Sequence, residues 1–103
     1  MVAIAAPRTV STPATLKVDG CPVIVDRGDY MYLSKFNWQL HDDGRQKLAY
    51  CISYTDLGYP KYIWMHRLVA ARHGLMAREI GHKNGNSLDN RVANLLPVMQ
   101  VAA

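Results

Sequence analysis

The stretch from residue 82 to residue 95 reads H-K-N-G-N-S-L-D-N-R-V-A-N-L, and its reading decides the fold. His82 is followed two residues later by Asn84-Gly85, a pair suited to a tight turn because both residues tolerate positive φ. Residues 83–87 are therefore expected to form a loop. Asp89 is placed to cap a helical turn running through Asn94. Residues 78–82 and 95–99 read as short strands on either side. In such a loop the amides of Asn90 and Asn94 are expected to satisfy backbone carbonyls and N–H groups, as buried amides mostly do.

Working outward, residues 66–73 suit a short helix with Leu68 and Val69 inward and Gly74 as its stop. Before it, Leu48, Tyr50, Ile52 and Tyr54 alternate with Ala49, Cys51 and Ser53. That is the period of a half-buried strand. Residues 56–60 form a turn and residues 59–65 a further strand. Residues 37–65 thus read as an antiparallel hairpin within a sheet of three or four strands. Upstream, residues 15–19 and 22–26 are β-rich runs joined at Asp19-Gly20, a hairpin pair. Asp26 is a candidate helix N-cap, and the helix is expected to reach about Phe36, with Tyr30, Leu33 and Phe36 inward. Trp38 and Leu40 begin the next strand. The two tryptophans and six tyrosines read as core packing rather than as platforms for bases. The expectation is an α+β fold: a small antiparallel sheet, two short helices and the C-terminal motif. Residues 1–13 form a loose arm rich in Ala, Pro, Ser and Thr. Residues 14–103 form one domain, made of a strand–helix–strand unit at 14–65 and the motif at 66–99.

With 103 residues, half of them hydrophobic, the chain can build one modest core. The apolar run at residues 2–6 is too short for a signal-peptide core or a membrane span. The expected setting is the cytoplasm of a bacterial host cell, with no membrane partner. Cys21 and Cys51 lie thirty residues apart and form no C-x-x-C pair, so zinc-finger spacing is absent. Twelve Lys and Arg against eight Asp and Glu give a net charge of +4, which permits a polyanionic partner. Arg67, Arg72, Arg78, Lys83 and Arg91 face only Glu79 and Asp89 within residues 66–91, so the densest basic region coincides with the motif. These five are the candidate phosphate contacts. His41 and His73 carry no assigned role, and His66 reads as structural.

W-M-H-R-L-V-A at residues 64–70 and G-H-K-N-G-N-S-L-D-N-R-V-A-N-L at residues 81–95 resemble the HNH endonucleases carried by phages and mobile elements. V-I-V-D-R-G-D-Y-M-Y-L-S-K-F-N-W-Q-L at residues 23–40 is similar to the N-terminal part of a subgroup of phage HNH proteins. The resemblance covers residues 18–98. It implies a ββα-metal core in which His82 is the general base that activates water for phosphodiester hydrolysis, oriented by Asn94. Neutral imidazole near pH 7 is suited to that task. The family also implies a divalent ion, held by a side chain next to the histidine and by an Asn or His on a later helix.

Here the sequence departs from the pattern. Gly81 stands where the family presents an acid, and Val101, Ala102 and Ala103 stand where the second ligand is expected. The motif therefore reads as degenerate and without its last helix, and no metal ligand is assigned. Glu79 lies on the same side of its strand as Gly81, away from His82. Two functions are consistent with this. One is a catalytically impaired module that binds duplex DNA or a host defence protein complex such as CRISPR, with no cofactor. The alternative is a metal-dependent HNH nicking endonuclease using Mg²⁺ or Mn²⁺, with His82 and Asn94 catalytic.

Overall fold

The structure is a computed structural model and describes residues 12–75, 77 and 79–98. Among them the chain is α+β, with seven strands in small antiparallel sheets and two helices. The strands form a hairpin, the three-stranded sheet expected within residues 37–65, and a second hairpin.

β1 (Pro13–Val18) pairs with β2 (Cys21–Asp26) across the Asp19-Gly20 turn, where both residues take positive φ, 49° and 82°. Pro13 already belongs to β1, while residues 1–11 of the expected arm lie outside the described residues. α1 (Arg27–Leu33) comes next without a loop and stops three residues short of Phe36. Two side chains just past its end account for the early stop. Ser34 donates its hydroxyl back to the Met31 carbonyl, and the Trp38 indole donates to the Leu33 carbonyl at 2.7 Å, filling an acceptor that another helical turn would have used.

β3 (Gln39–Asp42), β4 (Lys47–Tyr54) and β5 (Pro60–Trp64) form the three-stranded sheet, with β4 central. α2 (Met65–Arg72) leaves β5 without a loop and packs back on β4 and β5. On that side β4 presents Ala49 and Cys51, small residues that let the helix approach, while Met65, Val69 and Ala70 of α2 are fully buried above them. The opposite face carries the large residues of β4 and β5. This corrects the expectation that the aromatics fill the core. Trp38 is buried and Tyr30 and Tyr32 pack against the core, but Trp64 and Tyr50 are half-buried and Tyr54, Tyr59 and Tyr62 are exposed.

Gly74, at φ 78°, ends α2 as its sequence position suggests. β6 (Glu79–His82) and β7 (Leu95–Val98) then form the last hairpin, in which Gly81 faces Leu96 and His82 faces Leu95. Between them the chain makes the Asn84-Gly85 turn and a single 3-10 turn at Val92–Asn94. This loop is fastened to β2. Ile24 donates to the Leu88 carbonyl at 2.8 Å and accepts from the Asn90 N–H at 2.6 Å. Asp26 is no side-chain cap for α1; its carboxylate accepts the Val92 N–H at 2.8 Å, sixty-six residues along the chain. Residues 99–103 lie outside the described residues. Among the described residues no helix is long and apolar enough to cross a membrane.

Candidate functional site

His82 ends β6 and opens the loop. Its Nε2 meets the Asn90 side-chain oxygen at 2.8 Å. An amide oxygen only accepts, so Nε2 carries a proton, and in the neutral ring the lone pair is the one on Nδ1. Asn90 is 1% exposed, and its own backbone is held by β2, so it is a rigid support. The amide that orients His82 is thus Asn90 and not Asn94. Asn94 closes the loop on itself: its oxygen accepts the Asn84 N–H at 3.1 Å, and its amide nitrogen donates to the Asn84 side-chain oxygen and the Asp89 carbonyl. Chain spacing alone offers no way to choose between the two asparagines.

A second histidine stands beside the first. His66, in the first turn of α2, lies with its ring centroid 5.4 Å from that of His82, the planes tilted by 50°. Burial pushes its pKa down to about 4, and the neighbouring His82 and Arg67 push in the same direction. His66 is therefore neutral at pH 7. The two rings line a cavity of about 240 Å³ together with Gly81, Gly85, Ser87 and Gln46. From sequence His66 reads only as structural. The M-H-R segment puts it at the start of α2, but it is the sheet-to-helix geometry that brings it to His82.

The acids around the loop are committed elsewhere. Asp89, 1% exposed, accepts from Arg91 Nε at 2.8 Å, from Arg91 Nη2 at 2.6 Å and from the Asn84 amide at 2.9 Å. It is an internal anchor rather than a helix cap. Arg91 holds its carboxyl below the usual carboxylate range despite burial. Glu79 is exposed on β6 and pairs in register with Val98. Gly81 supplies no side chain, although a Cβ there would make only ordinary contacts, the nearest at 3.8 Å. Among the described residues no group of three or more His, Cys, Asp or Glu side chains is placed to hold a metal ion. Mg²⁺ and Mn²⁺ favour carboxylate and other oxygen ligands, so the described residues do not fit the ion that the HNH resemblance implies.

The five candidate phosphate contacts separate. Arg72 is half-turned inward, its Nε 3.1 Å from the buried Asp29 and its guanidinium 4.0 Å above the Tyr32 ring. Arg91 is bound to Asp89. Arg78 lies outside the described residues. Arg67 and Lys83 are exposed, and each directly succeeds one of the paired histidines in the chain, but neither lines their cavity; Arg67 borders a separate hollow with Lys61, Tyr62 and Trp64. His73, which carries no expected role, meets the Asp29 carboxylate at 3.0 Å. Cys21 and Cys51 are both free thiols.

Comparison with protein-family models, with curated proteins and with solved structures finds no match. The likeness to HNH proteins rests on the motif residues themselves.

Proposed function

We propose that this chain is a nucleic-acid-binding module built on an HNH-like strand–loop–strand scaffold of phage or mobile-element type, with its nuclease chemistry impaired. The observation that carries the reading is the contrast within one small site. The cations Arg67 and Lys83 are exposed and follow His66 and His82 directly in the chain, while the position beside His82 is a glycine and Asp89 is held internally. Such a surface attracts a phosphate backbone and offers little to a hard metal ion. Duplex DNA is the expected partner.

The nicking-endonuclease alternative is favoured by one specific feature. Asn90 fixes the tautomer of His82 that leaves Nδ1 able to take a proton from water.

The test pairs two measurements on the same protein. Duplex DNA affinity is measured against salt for the native chain and for Arg67→Ala and Lys83→Ala. The expected log–log slope is about −0.9 per phosphate contact, with each variant making it about one contact shallower. Absent or salt-insensitive binding overturns the reading and shifts the search to a protein partner, such as a host defence complex. Supercoiled-plasmid nicking in Mg²⁺ or Mn²⁺ is expected to be absent. Nicking that disappears in His82→Ala and in Asn90→Ala would establish the endonuclease instead.

A further inference from the structure

The face of the three-stranded sheet turned away from α2 has no partner within the described residues, yet it carries a continuous run of rings. Cross-strand register sets Trp64 beside Tyr50 and Tyr62 beside Ile52. His41 and Trp64 are 5.8 Å apart between centroids, Trp64 and Tyr50 5.5 Å, and Tyr50 and Tyr62 5.8 Å. The angles between planes are 77°, 49° and 85°, so no ring covers its neighbour's face. The four rings enclose a hollow of about 300 Å³, at the small end of the range for ligand pockets. Tyr62 is 60% exposed, with Tyr59 and Tyr54 exposed nearby at the hairpin end. An exposed apolar patch of this kind marks a binding surface.

The charges beside it identify the class of partner. Two cations stand next to these rings, Lys61 on β5 and Arg67 on α2, both exposed, while Asp42 on β3 is set opposite Lys47. Lys61 and Arg67 border a second hollow shared with Tyr62 and Trp64, so cations and rings meet along β5. A second copy or an added peptide strand is disfavoured at that edge. β5 begins with Pro60 and Lys61, the residue types that block strand-to-strand pairing. A polymer with planar apolar rings and a phosphate backbone satisfies both halves of the surface.

We propose that this face binds unpaired nucleobases, stacking them on Trp64, Tyr62 and Tyr50 while Lys61 and Arg67 take the phosphates. Every base has a π-face, so the site is tolerant of sequence. The inference shares with the proposed function the class of polymer and the cation Arg67. Its ring surface is a different one, and it takes a single strand in place of a duplex.

The experiment titrates the full chain with a short oligodeoxythymidine, with the same oligomer made abasic, and with a duplex. The readouts are anisotropy and tryptophan fluorescence, the latter in a Trp38→Phe background so that Trp64 alone reports. The native chain is expected to bind the oligodeoxythymidine with quenching and to bind the abasic strand more weakly. Tyr62→Ala is expected to weaken oligodeoxythymidine binding at least about fivefold. Tyr62→Phe, which keeps the ring, should restore it, and duplex affinity should not change in either variant. Tyr62 is largely exposed, so both variants are expected to fold. Equal binding of abasic and normal strands, or affinity indifferent to Tyr62→Ala, overturns the proposal even if duplex binding stands. A dimer in sedimentation that Tyr62→Ala dissolves assigns the face to a second copy and overturns it as well. Loss of duplex binding alone, with base-dependent binding intact, removes the proposed function and leaves this inference standing.

Discussion

At the scale of single residues, the pairing of His66 with His82 has a measurable consequence. A free histidine takes its proton near pH 6.5; His66 is pushed down to about 4, first by burial and then by its neighbours His82 and Arg67. Between those two pH values the unfolded chain binds a proton that the folded chain refuses. Stability is therefore complete above pH 6.5 and falls as the pH drops toward 4, by up to about 3 kcal/mol from this residue. Urea denaturation across that window is expected to show the loss in the native chain and a flatter profile in His66→Gln. An unchanged slope in the variant would place the acid sensitivity elsewhere. His82 can be found in the sequence because the Asn-Gly turn and its flanking strands single it out. Asn90 cannot be separated there from Asn94, since both lie in one amide-rich loop. The choice depends on which amide the contact with Ile24 presses toward the ring.

At the scale of elements, hydrophobic period and turn residues locate the strands and α2 to within a residue or two, because each is a local pattern. The polar ties between elements are hidden, because each joins residues tens of positions apart. Asp29 is the clearest case. Its place in the first turn of α1 suggests an interaction with the positive helix end. It is instead 2% exposed and joins α1 to the end of α2, accepting from Arg72 Nε at 3.1 Å and meeting His73 Nε2 at 3.0 Å. Arg72 in turn lies over Tyr32, so one carboxylate organises three side chains. The inward face of β4 is hidden for a related reason. Alternation shows that there are two faces but not which is inward, and here the small residues Ala49 and Cys51 win because α2 needs the space. Asp29→Ala is expected to cost about 1–3 kcal/mol in chemical denaturation, the lower end applying because Arg72 and His73 can turn to water. Asp29→Asn should recover part of that loss by keeping a neutral acceptor. Equal stability of all three proteins would mean that the helices are held by apolar packing alone.

At the scale of the whole molecule, β2 is the element on which the two halves of the sequence meet. On one side it pairs with β1 throughout its length; on the other its Ile24 exchanges hydrogen bonds with Leu88 and Asn90, and its terminal Asp26 holds Val92. The loop between β6 and β7 is therefore no independent appendage, even though loops are ordinarily the most mobile parts of a fold. Its polar groups are satisfied: no buried side-chain nitrogen or oxygen among the described residues lacks a partner. A loop tied to a buried strand in this way should open only when the strand does, so both should share one cooperative unit. Native-state hydrogen exchange tests this directly. The Asn90 and Val92 amides, donating to Ile24 and Asp26, are expected to show protection close to that of the buried β2 residue Val25 and to respond equally to denaturant. The Gly58 amide, at the exposed β4–β5 turn, should exchange through local opening with little denaturant dependence. If Asn90 and Val92 instead exchange as fast as Gly58, the loop opens on its own. His82 would then lose its support from Asn90 in a populated state of the folded protein, and the site would have to be assembled by its ligand.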